Sequence, residues 1–133
     1  MKKLLLLSLC ASGVMSVQAQ VVINELMQSN IDCIMDDIYE FPDSWVELYN
    51  TGDEAINLKD YKLGLTDNPA EAFSLSSFTL EPKAYKLVYC DKYDGTKAFH
   101  APFRLESGKD GSVYLTPDSS LATAEGFGDD FEV

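Results

Sequence analysis

The sequence predicts an all-β domain, an antiparallel sandwich or barrel. Short runs of β-branched and aromatic residues recur about every 10 residues, separated by clusters of Gly, Pro, Asn and Asp. No segment places its apolar residues at the sustained spacing of an amphipathic helix. Many short strands joined by tight turns are typical of two packed antiparallel sheets or of one closed sheet.

The segment DSWVELYNTGD, residues 43–53, is expected to be the central strand. Successive side chains of a strand leave on opposite faces, so Trp45 and Tyr49 share one face while Val46 and Leu48 share the other. A strand that is apolar on both faces belongs inside a packed sheet. The letters NTGD that end the segment are turn formers, so the strand should stop there.

Other strands follow from the same alternation and from the turn residues between them. They are VVINELM at 21–27, one or two short strands bent near Lys59 and Asp60 in AINLKDYKLGLT, a pair in FSLSSFTL at 73–80, AYKLVYC at 84–90, HAPFRLE at 100–106 and SVYLT at 112–116. SGKDG at 107–111 predicts a hairpin turn between the last two. One final short strand is expected beyond Leu121, and residues 28–43 form a long acidic loop of a length that is often functional.

Residues 1–19 are predicted to be a secretory signal peptide. Lys2 and Lys3 precede an apolar run, and small residues around Ala19 suit cleavage there. The run is shorter than the roughly 20 residues that span a bilayer. Lipid attachment at Cys10 is an alternative that the bulky Leu9 disfavours. The mature domain, residues 20–133, is therefore expected to be secreted, periplasmic or at the cell surface through the Sec pathway, without membrane insertion.

The charge balance argues against nucleic acid as a partner. The chain has 22 acidic and 10 basic residues and a formal net charge of −12. Phosphate backbones and anionic membranes attract Lys and Arg, so neither is expected to bind directly. The excess of acidic residues is expected to serve solubility.

Cys33 and Cys90 remain after cleavage of the signal peptide. In an exported protein they are candidates for a disulfide worth about 4 kcal/mol, and two buried free thiols are the alternative. A zinc site would need both thiols, a carboxylate and His100, the single histidine, in a tetrahedral array. Their spacing gives no such pattern, so a surface or strand-end histidine is expected.

Two segments carry a family resemblance. VINELMQSN, followed by the acidic loop and SWVELYNTGDEAINLKDYKL, resembles the start of a lamin-tail domain, the immunoglobulin-like module at the end of nuclear lamins that also occurs in exported bacterial proteins. LTDNP, EPKAYKLVYCD and FHAPFRLESGKDGSVYLTPD follow in the family's order, so the resemblance covers residues 21–118. It implies an immunoglobulin-like antiparallel β-sandwich. The match is poor after Asp118, as expected if the C-terminal part is truncated.

The resemblance assigns structural roles to a set of motif residues. They are Asn24, Glu25, Trp45, Glu47, Tyr49 and Asn50. Glu25 and Glu47 also raise an enzyme hypothesis, because buried carboxylates serve acid and base hydrolysis. The resemblance favours hydrogen bonding at strand ends instead. No nucleophile elbow, phosphate loop or dinucleotide motif is present, so no enzyme is predicted.

The acidic loops raise a calcium hypothesis, because calcium takes six to eight oxygen ligands. The candidate ligands are Asp32, Asp36, Asp37, Asp91 and Asp94. Their spacing is not that of an EF-hand, and Asp94 with Gly95 is equally explained as a turn. No cofactor is therefore predicted.

Most aromatic residues are expected in the core, and those expected to be exposed are Tyr39, Phe41, Tyr93 and Phe99.

The sequence thus predicts a non-catalytic interaction module of an exported bacterial protein. It would bind a protein, a cell-surface glycan or a neighbouring domain through residues 28–43 and 91–98, or through an open sheet edge. The alternative is an accessory domain of a larger surface or hydrolytic enzyme, with calcium-stabilised acidic loops.

Overall fold

The computed structural model describes residues 20–93, 96–117 and 123–127. Their strands are β1 Val21–Met27, β2 Ser44–Asn50, β3 Ile56–Asn57, β4 Tyr61–Gly64, β5 Phe73–Ser74, β6 Thr79–Leu80, β7 Tyr85–Cys90, β8 His100–Ala101, β9 Gly111–Pro117 and β10 Thr123–Phe127. A 3₁₀ turn, Leu58–Asp60, joins β3 to β4. Within these ranges no helix has the length and apolar character needed to cross a membrane.

The strands form two four-stranded sheets and a two-stranded ribbon. The first sheet has the order β1-β2-β7-β8, the second has the order β10-β9-β4-β5, and β3 pairs with β6 in the ribbon. All pairs are antiparallel except β7 with β8. The position of β2 between β1 and β7 is the central one that its apolar faces predict.

The core lies between the two sheets. Val46, Leu48 and Val88 of the first sheet, and Leu63 and Leu115 of the second, have no exposed surface and belong to one hydrophobic cluster. Full burial of each such side chain stabilises the fold by about 1.5–3 kcal/mol. The all-β sandwich predicted from the strand pattern is therefore confirmed.

Asn50 ends β2 and ties the ribbon to the first sheet. Its side chain is fully buried. Nδ2 donates to the carbonyls of Glu54 at 2.8 Å and Leu80 at 3.0 Å, and Oδ1 accepts the N–H of Gly52 at 3.0 Å. The turn after β2 is thus closed by one side chain, at the place the turn residues predict.

The prediction for residues 100–116 is wrong in part. Of the strand predicted at 100–106, only His100–Ala101 is strand, and it runs parallel to β7. The strand predicted at 112–116 is present within β9. Pro102 has no N–H for a ladder, and the backbone N–H of Leu105 bonds instead to Ser44 Oγ at 2.9 Å. The expected hairpin is not formed, because β9 pairs with β4 and β10. The last strand, expected beyond Leu121, is present as β10.

The possible disulfide between Cys33 and Cys90 is not formed. Cys33 lies exposed in the long loop, whereas Cys90 is buried at the end of β7, and both thiols are free. Burial raises the pKa of Cys90, and the nearby charge of Asp91 adds to the effect. The alternative of two buried thiols holds for Cys90 alone. The predicted signal peptide and Cys10 lie outside the described residues.

Candidate functional site

The acidic loop, residues 28–43, is closed at its base by a buried asparagine. Asn30 donates from Nδ2 to the carbonyls of Ile34 at 2.8 Å and Pro42 at 2.9 Å, and its Oδ1 accepts the N–H of Ile34. The backbone N–H of Asn30 donates to the carbonyl of Asp43 at 2.9 Å. The side-chain amide of Asn30 therefore makes the hydrogen bonds to the loop backbone that a neighbouring strand would otherwise make.

Asp36 builds the inner turn of the same loop. Its Oδ1 accepts the backbone N–H groups of Ile38 and Glu40, each at 2.9 Å. The N–H of Asp36 donates to the carbonyl of Glu40 at 2.8 Å, and Tyr39 between them has a φ of 65°. The residue is almost fully buried, although it lies in a loop.

His100 joins this loop to the loop that follows β7. Its imidazole, on β8, has no exposed surface. Nδ1 lies 2.5 Å from Oδ2 of Asp91, and Nε2 lies 3.0 Å from Oδ1 of Asp37. We call Asp36, Asp37, Asp91, Lys97 and His100 the His100 cluster.

The His100 cluster contains more negative than positive groups. The ammonium of Lys97 lies 2.7 Å from Oδ1 of Asp37. The hydrogen bond from Lys97, followed by that from His100, lowers the pKa of Asp37 from 3.8 to about 2. Asp36, Asp91 and His100 each offer an atom to a metal, and these atoms lie within 4.8 Å of one another.

Aromatic rings cover the cluster on the outer face of the first sheet. The rings of Tyr89 and Tyr93 lie 5.0 and 5.5 Å from the imidazole of His100. Burial raises the pKa of Tyr89, and the charges of Asp37 and Asp36 add to the effect. Trp45, the partner of Tyr89 across β2 and β7, is also buried, and its Nε1 has no hydrogen-bond partner among the described residues.

The two loops expose large apolar side chains, which we call the loop patch. Its members are Ile31, Met35, Ile38, Tyr39, Phe41 and Tyr93. Ile31 is 80% exposed and Tyr39 is 85% exposed. The predicted exposure of Tyr39, Phe41 and Tyr93 is correct. That of Phe99 is wrong, because its ring packs in the core against Phe78 and the ammonium of Lys86.

The calcium candidates divide into three groups. The structure brings Asp36, Asp37 and Asp91 together, leaves Asp32 exposed in the loop, and does not describe Asp94. The residue that joins them is His100, which opens β8 and so lies at a strand end as expected, but sequence reasoning missed its complete burial. Its position between two apolar residues, Phe99 and Ala101, was the available signal for burial.

Glu25 and Glu47 do not form the buried pair that hydrolysis would need. They are partners across β1 and β2, but Glu25 is exposed and Glu47 is half-buried. Asn24 Nδ2 donates to Oε1 of Glu47 at 2.8 Å, a structural role of the kind the motif implied. A cleft of about 410 Å³ lies elsewhere and contains neither glutamate. Its lining residues are Gln28, Ser29, Asp43, Arg104, Leu105, Glu106, Ser107 and Lys109.

Two facing sheets, a core between them and ordered loops at one end define an immunoglobulin-like β-sandwich. The chain matches the Lamin Tail Domain family over residues 15–127 and belongs to that family. The match extends through β10, beyond the segment that resembled the family by motif. The family is a non-catalytic, immunoglobulin-like class of interaction domain. No curated protein matches the chain.

Proposed function

We propose that this domain is a non-catalytic interaction module of an exported bacterial protein and that it binds a protein partner through the loop patch. The observation that supports the proposal is the concentration of exposed apolar side chains on the two loops that the His100 cluster joins. Six of the nine large apolar residues exposed within the described ranges belong to this patch. A concentration of exposed apolar side chains is typical of protein interaction sites.

The patch is presented by an ordered loop. Asn30 closes its base, Asp36 forms its inner turn, and Asp37 fastens it to His100. A loop that is already ordered loses little conformational entropy on binding, so its apolar contacts contribute more fully to affinity. Acidic residues in and around the patch favour a partner with an apolar groove and a basic rim.

The sheet edge is a weaker candidate. β1 is the longest edge strand of the first sheet, but its register shifts between Ile23 and Glu25. Asn24 and Glu25 at that irregularity are exposed and polar. Bulges and charges at an edge oppose the addition of another strand. The loop patch is therefore the proposed surface.

Site-specific photocrosslinking in the producing cells tests the proposal. A photoreactive phenylalanine analogue replaces Tyr39 in the patch or Tyr85 on β7, a matched control that is 55% exposed. A discrete protein adduct from position 39 that is absent from position 85 supports the proposal. Equal adducts from both positions, or none from position 39, contradict it.

A surface glycan is the other partner class that the same surface would fit. Sedimentation of the purified protein with isolated cell-wall glycan tests it, using Tyr39→Ser and the control Tyr85→Ser. Binding that only Tyr39→Ser abolishes would assign the patch to a glycan and overturn the choice of a protein partner. Absence of sedimentation leaves the photocrosslinking result to decide.

Export is tested separately. The protein isolated from the cell envelope or the medium should begin at Gln20, as N-terminal sequencing would show. An intact Met1 in cytoplasmic material would contradict the predicted signal peptide. A lipid-modified N-terminal cysteine would support processing at Cys10 instead.

A further inference from the structure

Both ring nitrogens of His100 face carboxylates, so the second nitrogen needs a proton or a metal ion between it and its carboxylate. The ring is fully buried, with a carboxylate oxygen 2.5 Å from Nδ1 and another 3.0 Å from Nε2. A neutral imidazole has only one N–H, so one of its nitrogens would direct a lone pair at a carboxylate. Either a second proton or a metal ion on that nitrogen removes the conflict.

The net charge of the cluster favours a divalent ion. Asp36, Asp37 and Asp91 supply three carboxylates, and the ammonium of Lys97 pairs with Asp37, which is 61% exposed, so Asp36 and Asp91 are left to be balanced. Protonation of His100 would still leave one negative charge in excess. Buried charges are stable only when they are paired or bound to a metal. A divalent ion bound to a neutral imidazole would balance the cluster completely.

We propose that Asp36, Asp91 and Nδ1 of His100 bind a divalent transition metal of the zinc type. Their ligand atoms lie within 4.8 Å of one another, and tetrahedral zinc with bonds near 2.0–2.1 Å holds its ligands about 3.3 Å apart. Binding therefore widens the 2.5 Å separation of Nδ1 from the Asp91 oxygen, and the carboxylate of Asp36 adjusts to the same ion. Asp36 can follow because it belongs to a loop and not to a sheet.

The second ring nitrogen of His100, Nε2, faces a carboxylate, as the second nitrogen of a metal-binding histidine usually does. Nε2 faces Oδ1 of Asp37 at 3.0 Å, and the ammonium of Lys97 holds the same oxygen at 2.7 Å. A ligating histidine usually donates its second N–H to a carboxylate, which fixes the tautomer and the ring orientation. Asp37 is thus a positioning residue for Nδ1, and it makes no bond to the metal.

The ligand types select the metal. Imidazole and carboxylate together suit zinc and its neighbours, whereas calcium takes six to eight oxygen atoms. The cluster supplies a nitrogen and carboxylates from two separate loops, a ligand set that differs from the all-oxygen calcium site considered from the sequence. Bound metal would link the acidic loop to the loop after β7, independently of any partner at the loop patch.

Calorimetry with Zn²⁺ and Ca²⁺ tests the site on the whole exported protein, purified without a histidine tag and stripped with chelator. We expect one equivalent of Zn²⁺ to bind and Ca²⁺ to bind far more weakly. Asp91→Asn and His100→Gln should abolish zinc binding, and Asp37→Asn should weaken it about 10- to 100-fold. Asp32→Asn and Cys33→Ser, exposed changes in the same loop, should leave binding unchanged.

Nitrogen-15 NMR of the unaltered protein keeps the test valid if a cluster variant fails to fold. His100 is the single histidine, so its two ring nitrogens are observed without ambiguity. Zinc should shift Nδ1 to a metal-bound position while Nε2 retains its proton. A ring with both nitrogens protonated in the presence of zinc overturns the proposal. So does zinc binding that survives His100→Gln or that Cys33→Ser removes.

Discussion

Asn50 shows how a single buried amide holds separate chain segments together. It donates to two carbonyls and accepts one N–H, so all its bonds lie inside the protein. Asn50→Asp keeps the size but loses both donated bonds and buries a charge. We expect the free energy of unfolding to fall by about 2–4 kcal/mol in urea titrations.

Asn57→Asp is the matched control for Asn50→Asp. Asn57 caps the 3₁₀ turn by accepting the N–H of Lys59 at 3.1 Å, and an aspartate can accept the same bond. Its replacement should change stability by less than about 1 kcal/mol. Equal losses from the two substitutions would show that the buried network of Asn50 is not decisive.

Cys90 should make the fold sensitive to alkali. Its pKa is raised above the ordinary value of 9.0, because burial disfavours the thiolate. The unfolded chain therefore ionises first, and the contribution of Cys90 to stability is full below pH 9.0 and declines as the pH rises further. Cys90→Ala should show a shallower loss of stability over that alkaline range in denaturant titrations.

Thiol labelling provides an independent check on Cys90. At neutral pH a thiol reagent should modify exposed Cys33 rapidly and Cys90 only at the rate of unfolding. Cys33→Ser should remove the rapid phase alone. Rapid labelling of both thiols would contradict the burial of Cys90.

At the scale of an element, β2 has two faces of unequal importance. Leu48 is fully buried between the sheets, whereas Tyr49 on the other face is only partly buried and stacks on Tyr85 with ring centroids 4.6 Å apart. Leu48→Ala should lower the free energy of unfolding by about 2–5 kcal/mol. The control Tyr85→Ala should lower it by about 1 kcal/mol, since it removes mainly one aromatic pair. The reverse order would contradict the assignment of the faces.

The acidic loop is the second element whose behaviour can be measured. Asn30→Ala removes the amide that closes its base. Limited proteolysis followed by mass spectrometry should then show cleavage within residues 31–41 at least about 10-fold faster, because local opening controls the rate. Ser29→Ala, an exposed neighbour, should not change the rate. Cleavage that begins in a strand would show that Asn30 supports the whole sandwich.

At the scale of the whole molecule, the net charge of −12 predicts a salt effect. Repulsion among the carboxylates opposes the compact state, and salt shortens the screening length from about 30 Å at 0.01 M to about 8 Å at 0.15 M. The Tm measured by calorimetry should therefore rise over that range. Sodium and choline chlorides should act alike. A rise with only one cation would indicate specific binding.

The strand pattern was predictable because it depends on neighbours in the chain. Alternation placed Trp45 and Leu48 on opposite faces of β2, and turn residues marked where that strand ends. The strand predicted for HAPFRLE, residues 100–106, was wrong because the prediction used only neighbours in the chain. Its alternation resembles a strand, but Pro102 and the bond from Leu105 to Ser44 Oγ take most of it out of the sheet.

The sequence by itself determined most of the strands, the central place of β2 and the family, because side-chain periodicity and turn chemistry act over a few residues. Only the tertiary structure decided the site. Asp37 and His100 are 63 positions apart, and no local pattern records that they meet. Their contact follows from the pairing of β7 with β8 and from the path of the acidic loop across the outer face of the first sheet. Long-range packing therefore buried a histidine that was expected at the surface or at a strand end and placed it at the centre of the cluster.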